Sequence, residues 1–305
     1  VVESAHNNQR PGKRLLVTGA SGFLGWNLCR AGRENYRLYG VVNRNGCPVS
    51  GIVTLRADLT DHGAVEKLFE QVQPEAVIHA AADADPNHCQ LNPEESGAIN
   101  VDATSFIVRQ CRRFGIPCVI ISTDLVFDGI SPPFREDDPV NPLCIYGEQK
   151  VCAERRALDD YPEGVVVCRM PLMYGDAPPH AGSFLQPMVA AMREGRRITL
   201  FTDEFRTPLS AADGAEGIFS ALEKEARGVL HLGGPERLSR FEAGVVVAEA
   251  LGIEPYIRKA LRSDVVMAAP RPADVSLACD RTRAIISFSP GAMKQELGKL
   301  SVIGF

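Results

Sequence analysis

The sequence predicts an α/β protein: a doubly wound parallel sheet with a smaller C-terminal lobe. Three observations carry that reading. Short β-branched runs alternate with amphipathic stretches from Arg14 to Arg169, the order that builds a parallel sheet covered on both faces. The runs themselves are almost continuously apolar, as strands buried on both sides are. A glycine-rich turn, Gly19-Ala20-Ser21-Gly22-Phe23-Leu24-Gly25, leads from the first run into the first helix.

In chain order, strands are expected at Arg14–Thr18, Leu38–Val42, Gly51–Leu55, Ala76–Ala80, Cys118–Ser122 and Val165–Cys168. Helices are expected between them at Phe23–Arg33, His62–Val72, Glu94–Phe114 and Tyr146–Asp159, where apolar residues recur at helical spacing. After Met170 the texture changes: Pro171, Pro178, Pro179 and Pro187 interrupt the chain and the elements shorten. Helices follow at Gly182–Glu194, Ala211–Glu225 and Arg240–Leu251, with strands at Ile198–Phe201 and Val229–Leu232. The second of those strands is placed to return to the main sheet. Asp264–Val275 is Pro-rich and polar and reads as a loop before a last helix near Gly291–Leu297. The organisation is a polar tail at 1–13, a main domain at 14–170, and a lobe at 171–305 with some segments rejoining the main sheet.

Composition narrows the function classes. The 305 residues are 45% hydrophobic and 23% charged, with a net charge of −5 and both signs interspersed. A nucleic-acid surface needs a clustered basic face, which this pattern argues against. No run approaches the roughly 18 apolar residues of a membrane-spanning helix, and Val1–Lys13 has no apolar signal-peptide core. A cytoplasmic location is therefore expected. The nine cysteines form no CxxC pair and the six histidines are scattered; reduced thiols acting as small hydrophobes are expected, and no metal site.

The glycine turn has the strand–turn–helix context of a dinucleotide site. Gly19 permits the tight turn, Gly22 lets backbone approach a pyrophosphate, and Gly25 lets helix and strand pack closely. The N–H groups at the helix start then face the phosphates. Where the second strand ends, Val41-Val42-Asn43-Arg44-Asn45 offers no carboxylate for a ribose 2′-hydroxyl. Arg44 favours a 2′-phosphate and hence NADP(H), with NAD(H) still admitted; otherwise Arg44 is a solvated loop cation. Asp58, beside Leu59 after the third strand, either accepts from the adenine amino group or caps the helix beginning near Asp61.

Tyr146 and Lys150 stand one helical turn apart on one face. A nearby ammonium favours the phenolate, so Lys150 is expected to lower the Tyr146 pKa. Such a phenol can protonate an alkoxide developing during carbonyl reduction. Ser122 and Thr123 end a buried strand and offer hydroxyls for a carbonyl oxygen, at the strand ends where ligands gather.

The segments Gly19–Gly25, Ser122-Thr123-Asp124 and Tyr146–Lys150 resemble the three signatures of the extended short-chain dehydrogenases/reductases, which have Rossmann folds. Ser122-Thr123-Asp124-Leu125-Val126-Phe127-Asp128-Gly129 is similar to the dTDP-4-dehydrorhamnose reductase branch in particular. His79-Ala80-Ala81-Ala82, Arg169 to Tyr174-Gly175, Arg206-Thr207-Pro208 and Arg271-Pro272-Ala273-Asp274 also fit, so the likeness spans about residues 14–300. It implies Thr123, with or without Ser122, as the carbonyl-positioning hydroxyl beside Tyr146 and Lys150. It also implies Ser21, Phe23, Leu24, Ala80, Ala81 and Ala82 around the cofactor, Asp124 toward substrate, and Arg206 and Arg271 on a nucleotide-sugar diphosphate. Two stretches depart from that branch: Leu125 stands where Tyr is usual, and Asp83–Gln90 matches poorly.

The leading expectation is an NADP(H)-dependent reductase acting on a keto group of a nucleotide-linked sugar, as a monomer or a homodimer. An epimerase or dehydratase is a second reading; no Glu follows Asp124, which lowers it. A third is a cofactor-binding regulatory subunit with little turnover, a role the same branch also serves. Fold alone does not choose among them.

Overall fold

The strand β1 (Arg14–Thr18) is a run whose last four side chains are buried, and everything that positions the site is built outward from it. The computed structural model describes residues 12–301, so the expected tail at 1–13 lies outside the described residues except for its last two. From β1 the chain runs through α1 (Phe23–Gly32), β2 (Arg37–Val42), β3 (Val53–Arg56), α2 (His62–Val72) and β4 (Ala76–His79). Then come α3 (Pro86–Leu91), α4 (Pro93–Gly97), a π-helical turn (Ala98–Ala103), α5 (Thr104–Phe114), β5 (Cys118–Thr123), α6 (Ile145–Asp160) and β6 (Val165–Met170).

The remainder holds β7 (Met173–Tyr174), α7 (Leu185–Arg193), β8 (Ile198–Phe201), β9 (Phe205–Arg206), β10 (Leu209–Ser210) and α8 (Ala211–Glu223). It ends with β11 (Gly228–His231), β12 (Leu238–Ser239), α9 (Arg240–Leu251), β13 (Ile257–Ala260), α10 (Asp280–Ile285) and α11 (Met293–Leu297). No described helix is long and apolar enough to cross a membrane.

Seven strands form one parallel sheet in the order β11-β6-β5-β4-β1-β2-β3. The doubly wound parallel sheet expected from the sequence is therefore present, and β11 does return to it. Its interior strands β4 and β6 are buried along their whole length, whereas edge strand β3 alternates half-buried and exposed, as a strand with one open side must. Successive β1 residues feed opposite faces. Leu15 and Val17 pack with Leu24 and Leu28 of α1 and Ile218 and Leu222 of α8. Leu16 packs with Phe69 of α2 and with Ile107 and Val108 of α5. A third core joins α7, α9 and α11 through Met188, Val247 and Leu297.

The helix expected as one piece at Glu94–Phe114 is divided. A further helix precedes it, and both α3 and α4 begin on a proline, Pro86 and Pro93, whose missing N–H is harmless in a first turn. Within the run, Thr104 and Ser105 hydroxyls donate to the carbonyls of Asn100 and Val101 four residues back, where the wider turn lies. Side chains that compete for i−4 carbonyls loosen an α-helical ladder in this way. Strand β13, not expected from sequence, pairs in parallel with β8.

Candidate active site

The sheet order reverses between β1 and β4, so their carboxyl ends open a crevice, where ligands of such folds bind. Gly19 follows β1 with φ +69°, and a Cβ there would lie 2.7 Å from the Ala81 backbone after β4. A Cβ at Gly25 would lie 2.1 Å from the Gly19 carbonyl oxygen. Both positions require glycine for this turn to close. Gly22 precedes α1, no side chain caps its first turn, and Gly22, Phe23, Leu24 and Gly25 line the large cavity.

Two cavities share Gly22, Ala80 and Ala82. The smaller, about 230 Å³, is lined by Gly19, Ser21, Asn43, Asp58, Leu59 and Ala81 among others. The larger, about 580 Å³, contains Thr123, Asp124, Tyr146, Lys150, Arg206 and Arg271 in its walls. The structure thus brings together the residues expected at a cofactor and those expected at chemistry. Arg44 lines neither cavity and is exposed. Arg56 donates to the Asn43 and Arg44 carbonyls, adding a second cation at this edge that the sequence reading did not single out. Asp58 accepts from the Thr60 hydroxyl and N–H, which hold its carboxyl below the usual range. The capping alternative for Asp58 is corrected: Asp61 caps α2, accepting from Gly63 and Ala64 N–H.

Tyr146 and Lys150 sit on α6, whose first turn presses against the turn after β5. A Cβ at Gly147 would lie 2.4 Å from the Leu125 carbonyl oxygen, so glycine brings Tyr146 within reach of Thr123. The Thr123 hydroxyl donates to Asp124 Oδ1 at 3.2 Å and accepts from Leu125 N–H at 3.2 Å, and it shares the wall of the large cavity with the Tyr146 phenol. Ser122 is directed elsewhere. Its hydroxyl donates to Glu154, which also receives Arg169 Nη2 at 2.7 Å and Nε at 3.1 Å.

The expected lowering of the Tyr146 pKa by Lys150 is not what the structure gives. Burial, reinforced by Asp124 and Cys89, pushes the phenol above its ordinary value, because a phenolate would be formed out of water. The same burial pushes the Lys150 ammonium down to about 8, opposed by Glu154 and Cys89. In this chain the phenol is protonated at neutrality, as a proton donor must be, although its burial makes it a weaker acid than a free tyrosine.

The outer part of the large cavity is charged. Arg206 Nη1 donates to Asp124 Oδ1 at 2.6 Å, and its Nη2 lies 3.5 Å from Glu204. Burial pushes the Asp124 carboxyl up despite Arg206, and its Oδ2 is buried with no hydrogen-bond partner. Arg240, Glu204, Phe184 and Met267 also line the cavity. Sequence reasoning missed them, since none lies in a spaced motif. The divergent Asp83–Gln90 stretch supplies a wall through Ala84 and Pro86. Asn87 Oδ1 accepts from Ala269 N–H, fastening the late loop to α3.

The model of a family described as RmlD substrate binding domain matches residues 13–301. Among curated proteins, methionine adenosyltransferase 2 subunit beta of Xenopus tropicalis is 29% identical over 282 residues, 90% of this chain and 83% of that protein. Spore coat polysaccharide biosynthesis protein SpsK of Bacillus subtilis (strain 168) is 28% identical over 262 residues, 85% of this chain and 87% of its own. Among solved structures, a hypothetical dTDP-4-dehydrorhamnose reductase from Sulfolobus tokodaii superposes with a TM-score of 0.81 at 30% identity, covering 92% of this chain and 98% of that one. A dTDP-4-dehydrorhamnose reductase from Bacillus anthracis in complex with NADP shares the fold at a TM-score of 0.85 and 21% identity, covering 95% and 99%.

Proposed function

Because this chain belongs to the RmlD substrate binding domain family, within the extended short-chain dehydrogenases/reductases, we propose that it is an NADP(H)-dependent reductase of a keto group on a nucleotide-linked sugar. One observation carries the reading: the Thr123 hydroxyl, the Tyr146 phenol and the Lys150 ammonium meet in a cavity that continues into the glycine turn. The surroundings fit a dinucleotide, since the uncapped first turn of α1 faces the shared part of the two cavities and can receive a pyrophosphate. Gly19–Gly25 and Ala80–Ala82 would hold the cofactor's backbone, Asn43, Asp58 and Leu59 its adenosine half, and Lys150 the ribose hydroxyls near the nicotinamide.

Bound NADPH supplies the hydride. Thr123, its hydroxyl held by Asp124 and Leu125 N–H, orients the substrate carbonyl oxygen toward the phenol. Tyr146 donates its proton to the alkoxide as charge develops. Lys150, still charged below about pH 8, stabilises the phenolate left behind. Asp124 offers Oδ2 to a hydroxyl of the sugar.

The test is a panel of nucleotide-linked keto sugars assayed with NADPH and with NADH by loss of reduced-cofactor absorbance. Turnover of at least one member, faster with NADPH, is the expected result. The match to methionine adenosyltransferase 2 subunit beta over 90% of this chain favours a second reading, a cofactor-binding subunit with little turnover. Tight NADPH binding with no sugar reduced would put that reading first.

A further inference from the structure

We propose that Glu154 is a positioning residue of the reacting centre: a buried carboxylate, fixed by Ser122 and Arg169, whose field keeps the Lys150 ammonium charged in the cavity wall. That this charge serves turnover rests on the reductase reading above; that Glu154 sustains it does not. Tyr146, Lys150 and Glu154 recur every four residues along α6 and all three are buried, so they form one row on the face turned to the sheet. Neighbours in such a row stand about 5–6 Å apart at their Cβ atoms.

The carboxylate is held from two strands. Ser122, near the end of β5, lines the large cavity and donates its hydroxyl to Glu154 Oε1, which lies behind it. From β6, Arg169 Nη2 donates to Oε2 at 2.7 Å and Nε to Oε1 at 3.1 Å. Arg169 is anchored on its far side as well. Its guanidinium lies 5.2 Å from the centre of the Phe127 ring, and Nη1 donates to the Glu136 carbonyl at 3.4 Å. Glu136 in turn accepts from the Thr282 hydroxyl at 3.1 Å. Glu154 cannot swing toward Lys150 without breaking these contacts. It acts on the ammonium through space: among the described residues, Lys150 has no hydrogen-bonded or ion-paired partner.

An ammonium taken out of water reverts to the amine unless an anion stands near. The other groups facing Lys150 do not supply one at neutrality. Cys89 of α3 is a thiol, pushed up by burial to about 11, and His79 of β4 is a neutral imidazole, pushed down by burial to about 3. The Tyr146 phenol keeps its proton. Asp124, in the wall of the same cavity, is paired with Arg206 at 2.6 Å. Burial pushes the Lys150 ammonium down, and Glu154 leads the opposition to that push. A carboxylate behind the cavity wall does this without taking room from a ligand.

The test reads Lys150 itself. The chain has seven lysines, so isotopic labelling at the lysine ε carbon gives few resonances in an NMR titration, and Lys150→Met identifies the one wanted. In the original protein its midpoint should lie near 8. In Glu154→Gln it should fall by about one pH unit or more, because the anion is gone and Arg169 is left as an unbalanced cation. An unchanged midpoint in a folded Glu154→Gln overturns the proposal. Removing one partner of a buried pair can unfold a chain, so a thermal melt accompanies the titration, and a double variant, Glu154→Gln with Arg169→Gln, is made beside it. The double variant strands no charge, and its midpoint should still fall, by less than in the single variant. A double variant that keeps the original midpoint also overturns the proposal, leaving Glu154 a structural partner of Arg169 alone. Turnover tests the other half. With a sugar that the original protein reduces, the alkaline limb of the pH profile should move down with the Lys150 midpoint. A moved midpoint with an unmoved limb would strike Lys150 from the reductase reading, while the hold of Glu154 on the ammonium would stand.

Discussion

At the scale of single residues, the hydroxyl pair after β5 shows what sequence conveys and what it withholds. Ser122 and Thr123 are adjacent and both line the large cavity, yet the Ser122 hydroxyl is taken by Glu154 while the Thr123 hydroxyl meets Asp124 and Leu125 N–H. Tyr146→Phe removes one oxygen and keeps the ring, so the fold should survive. Turnover should fall by roughly a hundredfold to ten-thousandfold, read as kcat with NADPH affinity measured alongside. Equal turnover would show that the proton comes from another group. On the proposal that Arg44 holds a 2′-phosphate, NADPH should bind more tightly than NADH by about 1–3 kcal/mol. Arg44→Ala should erase most of that difference in a titration of both cofactors, and equal affinities in the original protein would remove the argument. The motif residues were legible because their chemistry is local in sequence. Asp124 and Arg206, 82 positions apart, became a pair only once the chain folded, and the upward push on the phenol depends on burial that no spacing encodes.

At the scale of elements, boundaries were legible wherever a capping signal or a tight glycine contact sets them. The helices α2 and α9 fall where expected because Asp61 caps one, and Ser239 with Glu242 forms a capping box on the other. The π-helical turn was not legible, since Ala98–Ala103 has the same apolar spacing as the helices on either side. Gly25 tests the first helix. Its Cβ would sit 2.1 Å from the Gly19 carbonyl oxygen, so Gly25→Ala must move α1 away from β1. A loss of about 1–3 kcal/mol in a urea melt is expected, with dinucleotide affinity falling as well. Unchanged cofactor binding would detach the glycine turn from the proposed site. Elsewhere, Asn87 fastens the late loop to α3, so a segment that departs from its branch in sequence still has a defined place in the cavity wall.

At the scale of the whole molecule, two histidines tie distant parts together while buried and neutral. His79 bridges the Thr18 and Thr104 hydroxyls, and His231 Nδ1 lies 3.2 Å from the Phe134 and Ala278 carbonyls. Burial pushes both pKa values down to about 3, against about 6.5 in the unfolded chain. Their stabilisation is complete above about pH 6.5 and is lost as pH falls toward 3, because only the unfolded chain then takes up the protons. Each histidine contributes a slope of up to about 1.4 kcal/mol per pH unit. The urea midpoint should therefore drop between pH 7 and pH 5; a flat midpoint over that interval would contradict the burial argument.

The return of β11 to the main sheet has a consequence for how the protein is made. Strand β6 pairs with β5 on one side and with β11 on the other, yet β11 is not synthesised until residues 228–231. A nascent chain that has just completed β6 presents a strand apolar but for Arg169, with an open edge, and it must wait through nearly sixty further residues for its cover. Open edges of that kind recruit other chains, and contacts so distant in sequence form slowly. Expression of residues 14–175 alone should therefore give aggregate, and co-expression of the remainder should recover soluble material. A soluble, monomeric 14–175 fragment would show that the edge protects itself. Ribosome pauses before residue 231 would then carry no penalty.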